Sequence, residues 1–303
     1  MRTLQTVTDA VSWAEECIKK SGLGEAGKEA LFMVARLIDA RPPALHALSL
    51  RRLDASELKL LKEWIERRIR REPLQYILGE TEFWGLNFKV GPKVLIPRPE
   101  TEHLVSEGIK VLKDRQNPLI LDLSTGSGCI AVALAKELPQ ARVVATDISA
   151  DALAWASENA GINGVAGRIR FLEGNLFEAL DSIGSMRGFL PTLFDLIISN
   201  PPYVKSSEVF GLEPEVALHE PLLALDGGED GLYFIRRVIG EAPQHLKPAG
   251  VLIVEMGYGQ SEDIRRIMAA SKGFGRFEIK KDYSAIERVL SAEKKEREGD
   301  SFE

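Results

Sequence analysis

"LILDLSTGSGCIAVALAKELPQARVVATD", residues 119–147, decides the fold. Residues 119–123 form a short apolar run broken only by Asp122, the signature of a buried strand rather than a helix. Ser124-Thr125-Gly126-Ser127-Gly128 then turns the chain. "CIAVALAKELP" has the length and composition of a helix, and "ARVVATD" is a second buried strand. Strand, glycine turn, helix and strand in this order predict a βαβ unit, whose strands run parallel because the crossover is long.

The alternation continues in both directions. Downstream come the helix "SADALAWASENAGINGV", with Ser149 as its N-cap, and the strands "RIRFLEGN", "FDLIISN" and "GVLIVEM". "RFEIKKD" and "AIERVLSA" read as closing strands. This predicts an α/β fold: a Rossmann-like, doubly wound parallel sheet of seven strands with helices on both faces. Ligands in such sheets sit beyond the carboxyl ends of the strands. Upstream, "PETEHLVSEGIKVLKDR" is a helix, and "TEFWGLNFKVGPKVLIP" alternates around Gly91-Pro92, as a hairpin does.

Before the hairpin the period is helical. "TVTDAVSWAEECIKKSG" stops at Gly22 and "EAGKEALFMVARLIDARPP" stops at Pro42. "DASELKLLKEWIERRIRRE" opens with Asp54 and Ser56 as candidate caps and puts Leu58, Leu61, Ile65 and Ile69 on one face. The expected organisation is a small helical N-terminal domain over 1–79, a β-hairpin linker over 80–97 and the sheet domain over 98–292. The charged tail 293–303 is expected to be disordered.

Composition narrows the function. The chain has 303 residues, 45% of them hydrophobic and 28% charged, with a net charge of −6. That balance excludes a protein that binds polyanions over its whole surface. Arg67, Arg68, Arg70 and Arg71 form a basic cluster near a helix C-terminus, expected to be a solvated face. No apolar run approaches a membrane span, and the N-terminus is amphipathic rather than signal-like. The only cysteines, Cys17 and Cys129, and the scattered histidines His46, His103, His219 and His245 have no metal-ligand spacing. A cytoplasmic protein with no metal is expected.

The glycine turn suggests a nucleoside cofactor. Glycines admit close approach of a ligand to the backbone, and Asp147, at the end of the next strand, is placed to accept hydrogen bonds from ribose hydroxyls. Gly126-x-Gly128-x-x-Ala131 formally fits a nicotinamide dinucleotide. Asp122 at the mouth of the first strand suits a pyrophosphate poorly. It suits S-adenosyl-L-methionine better, which carries an ammonium group and no phosphate.

"FDLIISNPPYVKSS", residues 194–207, ends a buried strand on Asn200-Pro201-Pro202-Tyr203. Two prolines fix φ and stop any pairing, so the tetrapeptide is a rigid platform. The side-chain oxygen of Asn200 and the carbonyl of Pro201 can accept both hydrogens of a planar NH2 group, and Tyr203 offers an aromatic face. Such a grip favours the pyramidal nitrogen that forms as a delocalised amide attacks a methyl group. Asn200, Pro201 and Tyr203 are therefore the expected catalytic residues.

"NPPYV" with "DLSTGSG" resembles the amino-group methyltransferases that use S-adenosyl-L-methionine. Residues 71–105, 213–238 and 282–290 are similar to the release-factor glutamine methyltransferases, the PrmC/HemK family, whereas the first seventy residues match by helical character alone. The resemblance implies a class I methyltransferase domain that methylates the glutamine amide of Gly-Gly-Gln in class I peptide chain release factors. It implies that Ser124, Thr125, Gly126, Ser127, Gly128, Asp147 and Asn200 hold the cofactor, and that Asn200, Pro201, Pro202 and Tyr203 form the glutamine pocket. Ser124 stands where the family commonly has glycine, and Leu176 where an aromatic ring often covers the adenine. A monomer that contacts neither nucleic acid nor membrane is expected. A ribosomal-protein glutamine, a flipped adenine, a decayed binding module and a dehydrogenase remain the alternatives.

Overall fold

A computed structural model describes residues 5–185 and 193–295. It divides into two compact units, one reaching Gly79 and including Glu213–His219, the other made of Glu80–Leu212 and the chain from Glu220 onward.

The first unit is helical. Helix α1 (Val7–Lys20) starts at a capping box in which Thr6 accepts from the Asp9 N–H and Asp9 accepts from the Thr6 N–H. Helix α2 (Ala26–Leu37) follows. Helix α3 (Ala55–Ile69) is capped by Asp54, which accepts from the N–H groups of Ser56 and Glu57, so Ser56 lies inside the helix. The short α4 (Leu74–Leu78) ends at Gly79, in the left-handed region at φ +77°.

The inward stripe of α3 departs from expectation. Leu61 and Ile65 are buried, but Ile69 is 42% exposed and Arg68 takes the buried position. The Arg68 guanidinium meets Glu29 at 2.7 and 3.0 Å and Glu215 at 2.9 Å. Arg71 meets Glu215 at 2.6 Å, and Arg67 pairs with Glu72. Arg67, Arg68 and Arg71 are thus held in internal ion pairs, whereas Arg70 stays on a solvated face beside the exposed Glu66. Two of the cluster's carboxylate partners, Glu213 and Glu215, come from far along the chain, where local spacing could not place them.

The second unit begins with strands β1 (Glu80–Phe83) and β2 (Leu86–Lys89). The hairpin turns at Trp84-Gly85, both at positive φ (54° and 67°), and not at Gly91-Pro92. Two-residue turns of this hand match the twist of the strands they join. Glu102 accepts the Trp84 N–H at 2.7 Å, and the Trp84 indole donates to Glu137 at 2.9 Å. Phe83 and Phe88 pack into the core of this unit, so the hairpin is part of it.

Next come α5 (Glu102–Leu112), β3 (Leu119–Leu123), α6 (Cys129–Glu137), β4 (Arg142–Asp147), α7 (Ala150–Ile162) and β5 (Ile169–Glu173). They are followed by β6 (Phe194–Ser199), α8 (Pro214–His219, which belongs to the helical unit) and α9 (Tyr233–His245). The unit closes with β7 (Leu246–Glu255), α10 (Ser261–Ala270), β8 (Phe274–Lys281) and β9 (Glu287–Lys294).

The seven-stranded sheet has the order β5-β4-β3-β6-β7-β9-β8. Strands β3 to β7 run parallel, with alternate residues facing two separate cores: Ile120 and Ile198 on one side, Leu121 and Ile197 on the other. The expected all-parallel sheet is corrected at one edge, where β9 runs antiparallel to both β7 and β8. Residues 282–286 are too short a connection for a parallel crossover, so β8 and β9 form a hairpin. Strand β9 extends to Lys294, past the expected start of the tail, and 296–303 lie outside the described residues. Among the described residues no helix is long and apolar enough to cross a membrane.

Candidate active site

The strand order reverses between β3 and β6, and the register aligns their ends. Leu123 pairs with Thr146 on β4 and with Ser199 on β6, and Ser199 pairs with Val254 on β7. The next residue on each strand, Ser124, Asp147, Asn200 and Glu255, therefore emerges on one side of the sheet. A cavity opens there at the switch point, where α/β sheets bind ligands. Ser124, Thr125, Gly126, Ser127, Asp147, Leu176, Asn200 and Pro202 all border it.

The glycine loop is built from beneath by Asp122. Its carboxylate is fully buried and accepts the Thr125 hydroxyl at 2.6 Å, while the Thr125 N–H donates to the Thr146 carbonyl. Burial pushes Asp122 up to about 7. Ser124 and Gly126 both lie at φ +57° and Gly128 at +80°. That explains why glycine suits position 124, since serine pays strain there. A Cβ on Gly128 would come within 2.9 Å of the Ala156 Cβ, so this glycine lets α6 start close to α7. Gly126 has open space at the Cβ position.

Asp147 is already engaged. One carboxylate oxygen accepts the Gly126 N–H at 2.8 Å, the other the Ser149 N–H at 2.9 Å, and burial raises its pKa. A carboxylate has about four acceptor positions, so capacity remains for further donors. Leu176 sits at φ +53°, an unusual conformation for leucine, with its side chain packed in the second core beside Phe177.

Asn200-Pro201-Pro202-Tyr203 is braced from behind by "DGGEDG", residues 226–231. The Val204 N–H donates to the Leu225 carbonyl and the Gly227 N–H to the Val204 carbonyl at 2.7 Å. A Cβ on Gly227 would fall 2.7 Å from the Tyr203 Cα, so only glycine fits. Gln260 donates to the Tyr203 carbonyl at 2.9 Å. Pro201 is buried, and neither it nor the Tyr203 ring borders the cavity. The Tyr203 hydroxyl donates instead to Glu255 at 3.2 Å, and burial raises its pKa.

Asn200 is held by residues that local motifs did not reveal. Its Nδ2 donates to the Thr101 hydroxyl at 3.0 Å, and that hydroxyl donates to Glu255 Oε2 at 2.8 Å. Glu255 is 1% exposed, and burial pushes it up to about 7 despite its two donors and the charge of Arg288. No hydrogen bond from the described residues reaches Asn200 Oδ1. The site thus presents one oriented acceptor at the end of a buried chain of hydrogen bonds.

Residues 9–79 match the model of the PrmC N-terminal domain, and residues 108–212 match that of the methyltransferase small domain. The release factor glutamine methyltransferase of Geobacter sulfurreducens is 40% identical over 285 residues, covering 94% of this chain and 95% of that protein. The one from Thermodesulfovibrio yellowstonii is 41% identical over 245 residues, 80% and 84% of the two chains. The chain belongs to the release factor glutamine methyltransferases. The catalytic domain of hMettl16 shares the fold alone, at 15% identity with a TM-score of 0.56 over 82% of this chain and 85% of that one.

Within this methyltransferase, Thr101 and Glu255 did carry a sequence signal. Thr101 lies inside "RPETE", between the carboxylates Glu100 and Glu102 at the head of a helix. Glu255 ends the apolar strand "GVLIVE", and an ionisable residue there is rare unless partnered. Arg98, from the same "RPETE", borders the cavity and pairs with the buried Glu220 at 2.7 Å.

Proposed function

We propose that this chain transfers a methyl group from S-adenosyl-L-methionine to the side-chain amide nitrogen of the Gly-Gly-Gln glutamine in class I peptide chain release factors. The observation that carries this reading is the Asn200 amide, pinned through its NH2 with its oxygen left over, on the cavity that the glycine loop also borders.

The loop fits the cofactor. Left-handed backbone at 124, 126 and 128 and the open face of Gly126 leave room for a ligand against the main chain. Ser124 to Gly128 hold the cofactor by this backbone, Asp147 accepts from its ribose and Leu176 packs on its adenine. The cofactor supplies an electrophilic methyl carbon on a sulfonium.

Asn200 Oδ1 accepts one N–H group of the glutamine, and the other turns to the carbonyl of Pro201, which joins the cavity-lining Asn200 and Pro202 in the chain. Because both acceptors are fixed beforehand, they stabilise the positive charge that grows on the nitrogen without reorganising. That proton becomes acidic only after transfer, so no strong base has to act first. Pro202 walls the pocket, and Tyr203 contributes by bracing Glu255 from its far side. The helical unit recognises the release factor, and the protein acts as a cytoplasmic monomer without direct nucleic-acid contact. Internal pairing of Arg68 and Arg71 removes charge that a nucleic-acid surface would need.

Incubation with methyl-labelled cofactor and a release factor bearing Gln or Ala in Gly-Gly-Gln tests the reading. Label on the Gln protein alone is expected; equal label on both would refute it.

A further inference from the structure

The hydrogen-bond chain behind Asn200 has a direction, and that direction bears on substrate choice. An ionised carboxylate can only accept. Glu255 Oε2 therefore takes the Thr101 hydroxyl proton, and the Thr101 oxygen, its proton committed, accepts from Asn200 Nδ2. The Tyr203 hydroxyl occupies the other Glu255 oxygen, so the carboxylate is held from both sides. An asparagine amide unrestrained at a cavity edge could turn over and present NH2 in place of oxygen. Here a flip would set Nδ2 against the cavity and Oδ1 against an oxygen whose proton points elsewhere.

We propose that Thr101 and Glu255 are positioning residues that lock the Asn200 amide with Oδ1 toward the cavity, and so make the site select a side chain that donates two hydrogens over an isosteric carboxylate. The proposal rests on the glutamine reading above. A glutamate in place of the glutamine differs in shape by almost nothing. It brings oxygens where the site offers Oδ1 and a carbonyl, and a buried mismatch of acceptor against acceptor is costly. Selectivity between these isosteres thus comes from Thr101 and Glu255, neither of which needs to touch the substrate's reacting atom.

The test uses the full-length protein with S-adenosylhomocysteine and measures binding of a release factor carrying Gln, Glu or Ala in Gly-Gly-Gln. The wild type is expected to bind the Gln form at least about 10-fold more tightly than the Glu form. Thr101→Val keeps the shape and removes the hydroxyl, freeing the amide to turn, so the Gln-to-Glu ratio is expected to fall to about 3-fold or less. Thr101→Ser restores the hydroxyl and is expected to restore the wild-type ratio. A merely structural role would weaken both forms alike and leave the ratio unchanged, which would overturn the proposal.

The two levels fail separately. A wild type that does not distinguish Gln from Ala removes the glutamine reading. A wild type that distinguishes them, with a Thr101→Val ratio equal to its own, removes only the lock. Should Thr101→Val not fold, asparagine-selective 15N labelling of the wild type decides the matter. The Asn200 Nδ2–H that donates to Thr101 is expected to be protected from solvent exchange, and an Asn200 side chain whose two N–H protons both exchange as fast as those of exposed asparagines would contradict the proposal.

Discussion

Two buried polar clusters lie in the two units of the molecule, and they differ in how they end. In the helical unit, Arg68 is surrounded: Glu29 meets it in a fork and Glu215 takes a further nitrogen. In the sheet unit, Glu255, Thr101 and Asn200 form a line in which each hydrogen bond points toward Glu255, and the line stops at Asn200 on the cavity. A closed cluster serves structure, because all its capacity is spent internally. An open one leaves a single oriented atom for a ligand.

The comparison breaks most visibly at the open end. Asn200→Ala is expected to lower kcat by about 10²–10³-fold, the usual cost of removing one preorganised polar contact to the transition state. Affinity for S-adenosyl-L-methionine, measured by calorimetry, should change far less. Equal losses in both would assign Asn200 to the cofactor rather than to the reacting nitrogen.

At the closed end the loss falls on stability instead. Arg68→Ala strands the largely buried Glu29 and leaves Glu215 with Arg71 alone, and is expected to destabilise the protein by about 2–3 kcal/mol in denaturant melts. Cofactor affinity of the folded fraction should be unchanged. A variant as stable as wild type would mean that these charges are solvated after all.

Proton uptake sharpens the contrast within the open cluster. Glu255 sits at about 7 because burial outweighs its Thr101 and Tyr203 hydrogen bonds and Arg288, with Glu100 adding to the rise. As pH falls through that value, the carboxylate gains a proton and ceases to be a pure acceptor, so kcat is expected to drop on the acid side. Stability follows the opposite sign. A carboxyl whose folded pKa is raised above its unfolded value stabilises fully below the unfolded value, and this contribution is lost as pH rises through the folded one. Glu255 and Asp122, both at about 7, therefore give a contribution that falls between roughly pH 4 and 7. Melts of Asp122→Asn should show a flatter profile across this range than the wild type. An identical slope would remove Asp122 from the account.

The smallest expected effect concerns the loop. Ser124→Gly relieves left-handed strain at φ +57° and should stabilise by about 0.5–1 kcal/mol, read as a small rise in Tm. A decrease would show that the serine side chain contributes more than its backbone costs.

The sheet was readable in the sequence because parallel buried strands and a glycine turn leave contiguous local patterns. The stretch 119–147 alone predicts β3, α6 and β4, and "FDLIISN" predicts β6. The hairpin turn was misplaced because Gly91-Pro92 is a stronger local signal than Trp84-Gly85, although the register joins Phe83 to Leu86. The burial of Arg68 does not show in the sequence because Glu29 on α2 and Glu215 on α8 lie 39 and 147 positions away, a reach no helical period reports. Thr101 and Glu255 each leave a local trace, but their pairing does not show in the sequence, because they are 154 positions apart and meet only once the sheet register is set. The residues of the open cluster that motifs could name, Asn200 and Tyr203, were those that share one strand end.

A crystal structure with S-adenosylhomocysteine and a peptide containing Gly-Gly-Gln tests the central claim most directly. The account predicts the glutamine amide nitrogen within about 2.7–3.2 Å of both Asn200 Oδ1 and the Pro201 carbonyl, with its open face toward the sulfur. An amide bound elsewhere, or an Asn200 turned to offer Nδ2, would contradict it.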